Sequence, residues 1–351
     1  MEKLKILEMN TERTWRGGER HTYYTVEAFK DIGIEVEALV RKGSPLSEKC
    51  KRLGIRVYEV KNNLEVLLFL LKKGKDYHIL HTQTPKTQSI AILTKPFHRR
   101  PIVCTRLVDF KPKGILSLTK YKLTDRVVAI NKSIEMVMKD IGVRHVDIIP
   151  IMYKPRNPNK KRAIEFLKTR NIEIRKRKIV ASVSALTDQK DPITLVRAIK
   201  ILSDLRKDFI FLHFGDGFLL EEVRKEIKKL KIEKVYQLLG FVDDPEDFYP
   251  LFNVYVMTSL NEGTPLSILD AFYNKVPVVA TDIPPLKELL QGRGLLCTVR
   301  DAECIARNID KLLSDQILRE EIVRRAYKWI SETFSPESLA KEYIKIFKEL
   351  L

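Results

Sequence analysis

Residues 254–282 read VYVMTSLNEGTPLSILDAFYNKVPVVATD. The run Val254–Met257 is short, apolar and β-branched or aromatic, which is the composition of a buried strand. An acidic loop ending in Glu262 follows, and Gly263-Thr264-Pro265 opens a helical pattern over Pro265–Asn274 with Pro near its first turn. A second apolar run, Val276–Ala280, then reads as another strand. Strand, helix, strand at this spacing is a βαβ unit, and such units build parallel sheets. The free N–H groups of the helix start are suited to a diphosphate. Glu262 stands just ahead of them. Asp270, further along the helix, could accept two hydrogen bonds from a ribose diol.

The same alternation runs through the rest of the chain. Toward the N-terminus, strands are expected at Lys3–Glu8, Glu35–Val40, Arg56–Val60, His78–His81, Pro101–Thr105 and Arg126–Ile130, with helical patterns between them. Near 150–178 the composition turns to Pro, Asn and cations, which marks a linker. The alternation restarts at Lys178–Val183, Phe209–Phe214 and Tyr236–Leu239, and a helical tail follows to Leu351, broken near Ser335-Pro336. The chain has 351 residues, which suits two α/β domains better than one. The expected divisions are 1–155 and 156–316, with tail helices 317–351 packing back on the first domain. Two such domains would enclose a cleft, and ligands bind at the carboxyl ends of parallel strands.

Composition narrows the function classes. Apolar residues make up 44% and charged residues 31%, so a disordered chain is excluded. No apolar run approaches the ~20 residues of a membrane span. The four cysteines, at 50, 104, 297 and 304, form no CxxC pair. That spacing predicts reduced thiols in a cytoplasmic chain, with neither a disulfide framework nor structural zinc. The net charge of +18 is uneven: +12 over residues 1–150, +9 over 151–178 and −3 over 179–351. A basic first half favours polyanionic partners. No helix-turn-helix, zinc finger or RNP pattern supports nucleic acid.

Further candidate residues lie at other strand ends. Trp15-Arg16-Gly17-Gly18-Glu19-Arg20 sits between the first strand and first helix, where two glycines permit close backbone approach to an anion. Lys190, after strand Lys178–Val183, could reach a phosphate. Phe214-Gly215-Asp216-Gly217 reads as a strand-to-helix turn.

Taken together, these motifs resemble the retaining nucleotide-sugar glycosyltransferases of family four, of the bacterial lipopolysaccharide and glycolipid type, which have the GT-B fold. The resemblance spans nearly the whole chain. It rests on Gly17-Gly18-Glu19-Arg20, Gly215-Asp216-Gly217, Leu239-Gly240-Phe241-Val242-Asp243-Asp244, the Glu262–Ala271 segment and Lys275–Asp282. It implies a doubly wound α/β fold of two Rossmann-like domains facing across a cleft, the first for the acceptor and the second for the donor. It implies that Gly17 and Gly18 approach the donor diphosphate, that Lys190 neutralises it, and that Gly215 belongs to the donor site. Val242 would meet the base, Glu262 the donor sugar, and Gly263, Thr264, Pro265 and Leu266 the phosphates. Asp270 would bind the ribose. His81 would face the sugar, in a His81-Thr82-Gln83 version of the family's His-x-His. Glu262, Lys190 and His81 are thus the expected catalytic residues.

The chain departs from the family in three places. The second carboxylate is Asp270 rather than Glu. Ser184-Ala185-Leu186 stands for Gly-Arg-Leu, so Ala185 replaces the Arg of the diphosphate clamp, and Asp191 follows Lys190 where Gly is usual. Arg16 or Arg106 would supply the missing cation. Arg16, Arg106 and Asp109 are also the expected acceptor contacts. No metal and no cofactor are expected beyond the nucleoside-diphosphate sugar itself, since no DxD-type motif is in place.

Residues 95–126 hold nine Lys/Arg and two Asp interleaved with Phe97, Phe110, Ile115, Leu116 and Leu118. This is the pattern of a surface for anionic lipid. The expected function is sugar transfer to a hydroxyl of an anionic glycolipid, such as a lipopolysaccharide core precursor, peripheral to the inner face of the plasma membrane. The alternatives are a non-catalytic GT-B subunit and a nucleotide-sugar epimerase.

Overall fold

The computed structural model describes residues 4–351. Contacts divide the chain into two units, Met1–Lys154 with Phe334–Leu351, and Pro155–Thr333.

In chain order, the first unit contains β1 (Lys5–Asn10), α1 (Gly17–Asp31), β2 (Glu35–Arg41), α2 (Pro45–Arg52), β3 (Arg56–Val60), α3 (Asn63–Lys73), β4 (Ile79–Thr82) and α4 (Pro85–His98). It continues with β5 (Ile102–Arg106), α5 (Ile115–Lys122), β6 (Arg126–Ala129), α6 (Lys132–Asp140) and β7 (Val146–Ile148). Lys3, where the first strand was expected to begin, lies outside the described residues. The sheet order is β3-β2-β1-β4-β5-β6-β7, and every pairing is parallel. The order reverses between β1 and β4. Strands such as Ile102–Arg106 are buried along their whole length, which is why they read as unbroken apolar runs. Ser44, Asn62, Thr84 and Asn131 cap α2, α3, α4 and α6 by accepting backbone N–H bonds.

The second unit contains α7 (Lys160–Thr169), β8 (Lys178–Val183), α8 (Pro192–Leu205), β9 (Phe209–Phe214), α9 (Leu220–Lys229), β10 (Tyr236–Gly240) and β11 (Val254–Met257). Then come α10 (Leu266–Tyr273), β12 (Val278–Thr281), α11 (Pro284–Leu290), β13 (Leu295–Cys297), α12 (Ala302–Ser314) and α13 (Gln316–Thr333). The order is β10-β9-β8-β11-β12-β13, with parallel strands reversing direction of growth between β8 and β11. Its core gathers Val180, Leu195, Ile199, Phe211, Val256 and Ile309, all essentially inaccessible.

Helix α14 (Pro336–Glu349) completes the first unit. The expected tail 317–351 is therefore not one piece. Helix α13 stays with the second unit, where Trp329 packs edge-on to Phe272 and under Arg293. Helix α14 joins the first, where Tyr343 and Phe347 pack on Phe29 and Arg126 meets Glu349.

Three elements have weak sequence signals. Strand β7 and strand β13 are three residues each, and α5 is a helix of only eight. The start of β12 moves to Val278 because Pro277 has no N–H to donate; its carbonyl instead accepts from Tyr255. The expectation of reduced cysteines holds for buried Cys50 and Cys104 but not for the others: Cys297 at the end of β13 and Cys304 in α12 are disulfide-bonded. A CxxxxxxC spacing carries no motif. It is the short turn between β13 and α12 that brings the two together, at a Cα separation of 5.7 Å.

Candidate functional site

In a doubly wound sheet the crevice opens where strand order reverses, at the carboxyl ends of the two strands concerned. In the second unit those strands are β8 and β11. The loop after β8 carries Ser184 to Lys190, and the loop after β11 carries Ser259 to Leu266. The two loops are stitched together. The Leu260 N–H donates to the Gln189 carbonyl at 2.8 Å, the Gln189 amide donates to the Asn261 carbonyl at 2.8 Å, and the Thr258 hydroxyl donates to the Lys190 carbonyl at 2.9 Å.

This stitching brings Lys190 and Glu262 into contact. The Lys190 ammonium donates to Oε1 of Glu262, and the Ser259 hydroxyl donates to the same oxygen at 2.6 Å. The Glu262 side chain is 7% exposed and that of Lys190 20%. An ion pair this sheltered from water is screened far less than a surface pair. Gly263 and Pro265 are buried, Thr264 is half-buried, and Pro265 is the residue before the first turn of α10. The first turn of α10 begins four residues after Glu262, and a helix start carries backbone N–H groups without an intrahelical partner. Asp270 lies one helical turn further in and is buried. Beneath both carboxylates is Tyr255, whose hydroxyl donates to the Val183 carbonyl at 3.2 Å and whose pKa burial pushes well up.

Gly215 has a packing role. Its φ is +142°, and a Cβ there would lie 2.0 Å from the Ser184 carbonyl oxygen. Gly217 is equally confined, by the Leu186 carbonyl at 2.2 Å. The Gly215–Gly217 turn thus lies directly against the β8 loop and fixes its course. Val242 is buried in the segment after β10. That segment is anchored by Arg156 and Arg162 on Asp244, and by Arg162 on fully buried Asp247 at 3.2 Å.

The first unit has its own reversal point, between β1 and β4. Gly17 begins α1, and a Cβ on it would meet nothing within 4 Å, so packing does not require glycine there. Gly18 is comparably open, its Cβ 3.5 Å from Leu107. Glu19 fastens the turn by accepting from the Arg16 N–H at 2.7 Å, while the Arg16 side chain is exposed.

Two expectations fail in this unit. His81 is fully buried: Nδ1 meets Glu8 at 2.8 Å, Nε2 meets Thr105 at 2.8 Å, and Phe29, Tyr343 and Phe347 surround the ring. With both nitrogens engaged it cannot face a sugar. Arg106 is 5% exposed, donates to the Tyr121 hydroxyl and the Phe110 carbonyl, and lies over both rings. Its guanidinium holds the 107–114 loop and is not available as a replacement diphosphate clamp. Asp109 lies half-buried in that same loop.

Gln83, just past the end of β4, is buried as well. Its amide donates to Glu8, and its Oε1 is buried without a partner. Ser259 was missed, because a serine two residues past a strand carries no sequence signal.

The family of glycosyl transferases group 1 matches residues 164–329. The chain carries a group 1 glycosyl transferase domain. Relatives of the glycosyltransferase extend over nearly all of it. A lipopolysaccharide core biosynthesis glycosyltransferase of Rhizobium meliloti is 23% identical over 94% of this chain and 95% of its own length. An Escherichia coli UDP-Gal:α-D-GlcNAc-diphosphoundecaprenol α-1,3-galactosyltransferase is 23% identical over 90% and 89%. Among solved structures, Anabaena HepE in complex with UDP-glucose superposes with a TM-score of 0.86 at 17% identity, covering 99% of this chain and all of that one. The fold is therefore GT-B, with two parallel-sheet Rossmann-like units.

Proposed function

We propose that this group 1 glycosyltransferase moves a sugar from a nucleoside diphosphate to a hydroxyl of an anionic glycolipid, with retention at the anomeric carbon and without a metal. The observation that carries the reading is the Lys190–Glu262 pair at the β8/β11 reversal, beside the α10 N-terminus. The names of the relatives, which include lipopolysaccharide core and diphosphoundecaprenol-linked transferases, support a glycolipid acceptor. The UDP-glucose held by HepE supports a nucleotide-sugar donor.

In this reading the diphosphate lies against the Gly263–Leu266 turn and Lys190, and Asp270 accepts from the ribose hydroxyls. As the bond from the anomeric carbon to the diphosphate oxygen breaks, negative charge grows on the phosphate. The Lys190 ammonium and the free N–H groups of α10 stabilise that charge. The acceptor oxygen bonds to the same face of the sugar, and its proton passes to the departing phosphate oxygen. Glu262, held by Ser259, orients the sugar and is not a nucleophile. The exposed Gly17 turn and the Arg16 side chain remain available for an anion.

The acceptor surface is assigned to α4, α5 and the loop between β5 and α5. Leu93, Phe97, Phe110, Ile115 and Leu116 are all more than half exposed there, among Lys111, Lys113, Lys120 and Lys122. Among the described residues no helix is long and apolar enough to cross a membrane, so association would be peripheral.

The test is a transfer assay with UDP-, GDP- and ADP-sugars on anionic vesicles doped with bacterial glycolipids, the anomer of the product being read by NMR. An α-linked product from an α-linked donor, formed in chelator and lost in Glu262→Ala, is the expected result. Nucleotide binding with no transfer to any acceptor would leave a non-catalytic subunit instead.

A further inference from the structure

Ala185 removes the cation that relatives of this fold are expected to place on the diphosphate, yet the residue beside it is unusually well prepared. Ser184 immediately follows β8 and is half-buried at the reversal point. Its Oγ lies 3.3 Å from Nε2 of His213 and 3.1 Å from Oγ of Ser182. Nε2 of His213 also lies 3.1 Å from the Ser184 carbonyl oxygen.

The direction of each bond follows from chemistry. A carbonyl oxygen only accepts, so Nε2 carries a proton and donates. His213 is fully buried, and burial pushes its pKa down to about 4, so the ring is neutral. Nδ1 is then bare and accepts from the Tyr236 hydroxyl, 2.7 Å away. Tyr236 is itself buried, and burial raises its pKa well above the usual value, so its proton stays in place. Ser182 is 1% exposed, and among the described residues its hydroxyl meets Ser184, so its hydrogen, if not given to Ser184, would be stranded in the interior. Ser184 Oγ therefore accepts from Ser182 and shares the proton of His213. Both lone pairs are used, and its own hydrogen is left to donate outward. Donors feeding an oxygen in this way polarise its O–H and strengthen the bond it gives.

We propose that Ser184 is a diphosphate-binding residue, donating its hydroxyl hydrogen to a phosphate oxygen of the nucleotide. The buried Tyr236–His213 pair, with Ser182, positions it. The site takes a phosphate ester anion and reads it with a neutral donor, while Lys190, on the same loop, supplies the charge. The inference rests on the nucleotide-sugar reading above. Its particular content is that part of the missing arginine's task falls to a hydroxyl.

The test uses calorimetry on the full chain with UDP, UMP and uridine, and with GDP and ADP beside UDP. Ser184→Ala and Ser184→Gly both remove the hydroxyl; the glycine variant restores the backbone freedom of the related sequences if alanine disturbs the turn. A hydrogen bond to a charged oxygen predicts that each variant binds the diphosphate at least about tenfold more weakly. Uridine binding should be unchanged, which general damage to the site would not allow. His213→Leu should reproduce a smaller loss, confined to the phosphorylated ligands. Unaltered UDP affinity in both serine variants, or an equal loss for UDP and uridine, would overturn the proposal and leave the donor reading intact. Failure of the unmodified protein to bind UDP, GDP and ADP would overturn both.

Discussion

The ammonium of Lys190 donates to the carboxylate of Glu262, across two loops that lie seventy-two residues apart in sequence and are joined only at the β8/β11 reversal. Without a donor, each charge neutralises the other. A diphosphate entering there competes for the ammonium, and Ser259 keeps Glu262 in place when it does. Removing Glu262 should therefore have two opposite effects. Glu262→Ala is expected to bind the free nucleoside diphosphate as well as the unmodified protein or better, since Lys190 loses its internal partner, while transfer falls at least a hundredfold. Calorimetry and an initial-rate assay on the same preparation check this. Parallel loss of nucleotide binding and rate would mean that Glu262 is only structural.

Gly215, like Gly217, leaves no room for a methyl group. A methyl group at Gly215 would lie 2.0 Å from the Ser184 carbonyl oxygen, a backbone atom that no side-chain rotation can move aside. Gly215→Ala is expected to destabilise the second unit by about 2 kcal/mol or more, as forced overpacking does. Nucleotide affinity should fall with it, because the displaced loop carries both Ser184 and Lys190. Gly17→Ala should leave the melting temperature unchanged, since nothing lies within 4 Å of a Cβ there. Thermal melts of the two variants side by side make the comparison.

Acid should weaken the fold before the carboxylates titrate. Burial holds His213 at about 4 and His21 at about 3, against an ordinary value of 6.5. Both are neutral when folded and bind a proton when unfolded, so stability is complete above about pH 6.5 and declines as pH falls toward 4. Each unit of depression corresponds to about 1.4 kcal/mol. Chemical denaturation at pH 7.5 and 5.0 should show the loss, and His213→Leu should have a shallower decline. An identical decline would place the effect elsewhere.

The Cys297–Cys304 bond closes a short loop between β13 and α12, and its chain-entropy contribution is about 2 kcal/mol. Reduction is expected to lower the melting temperature by a few degrees without altering nucleotide binding, because the bond lies at the edge strand, away from β8 and β11. Melts with and without reductant decide it.

Membrane association can be tested apart from catalysis. Replacing Phe97, Ile115 and Leu116 together by Ser should abolish flotation with anionic vesicles and leave binding of soluble nucleotide unaltered. Flotation of the unmodified protein with neutral vesicles alone would contradict the role given to the lysines.

The sequence was most informative where local chemistry repeats. The parallel strands are unbroken apolar runs, and Glu262, Gly263 and Pro265 sit at a fixed offset from one of them, so the second unit's site was legible from β11 outward. What could not be read was the direction in which side chains point. His81 and Gln83 are both buried, His81 between Glu8 and Thr105, and a motif gives the order of its residues but not their burial. Arg106 likewise reads as a free cation from its order in the chain, whereas Tyr121 and the Phe110 carbonyl hold its guanidinium. Ser184, His213 and Tyr236 lie on or at the ends of three adjacent strands, and no local pattern joins them. The split of the tail at Phe334 depends on packing by Trp329 and Tyr343, which periodicity does not reveal.

The central claim is that the β8/β11 reversal of the second unit binds a nucleoside diphosphate through Lys190. Titrating the unmodified protein and Lys190→Ala with UDP, GDP and ADP by calorimetry tests it most directly. Selective binding of one nucleotide, weakened by about 1.5 kcal/mol or more in Lys190→Ala, is the predicted result. Equal affinity in the two proteins, or no binding of any of the three at millimolar concentration, would contradict it.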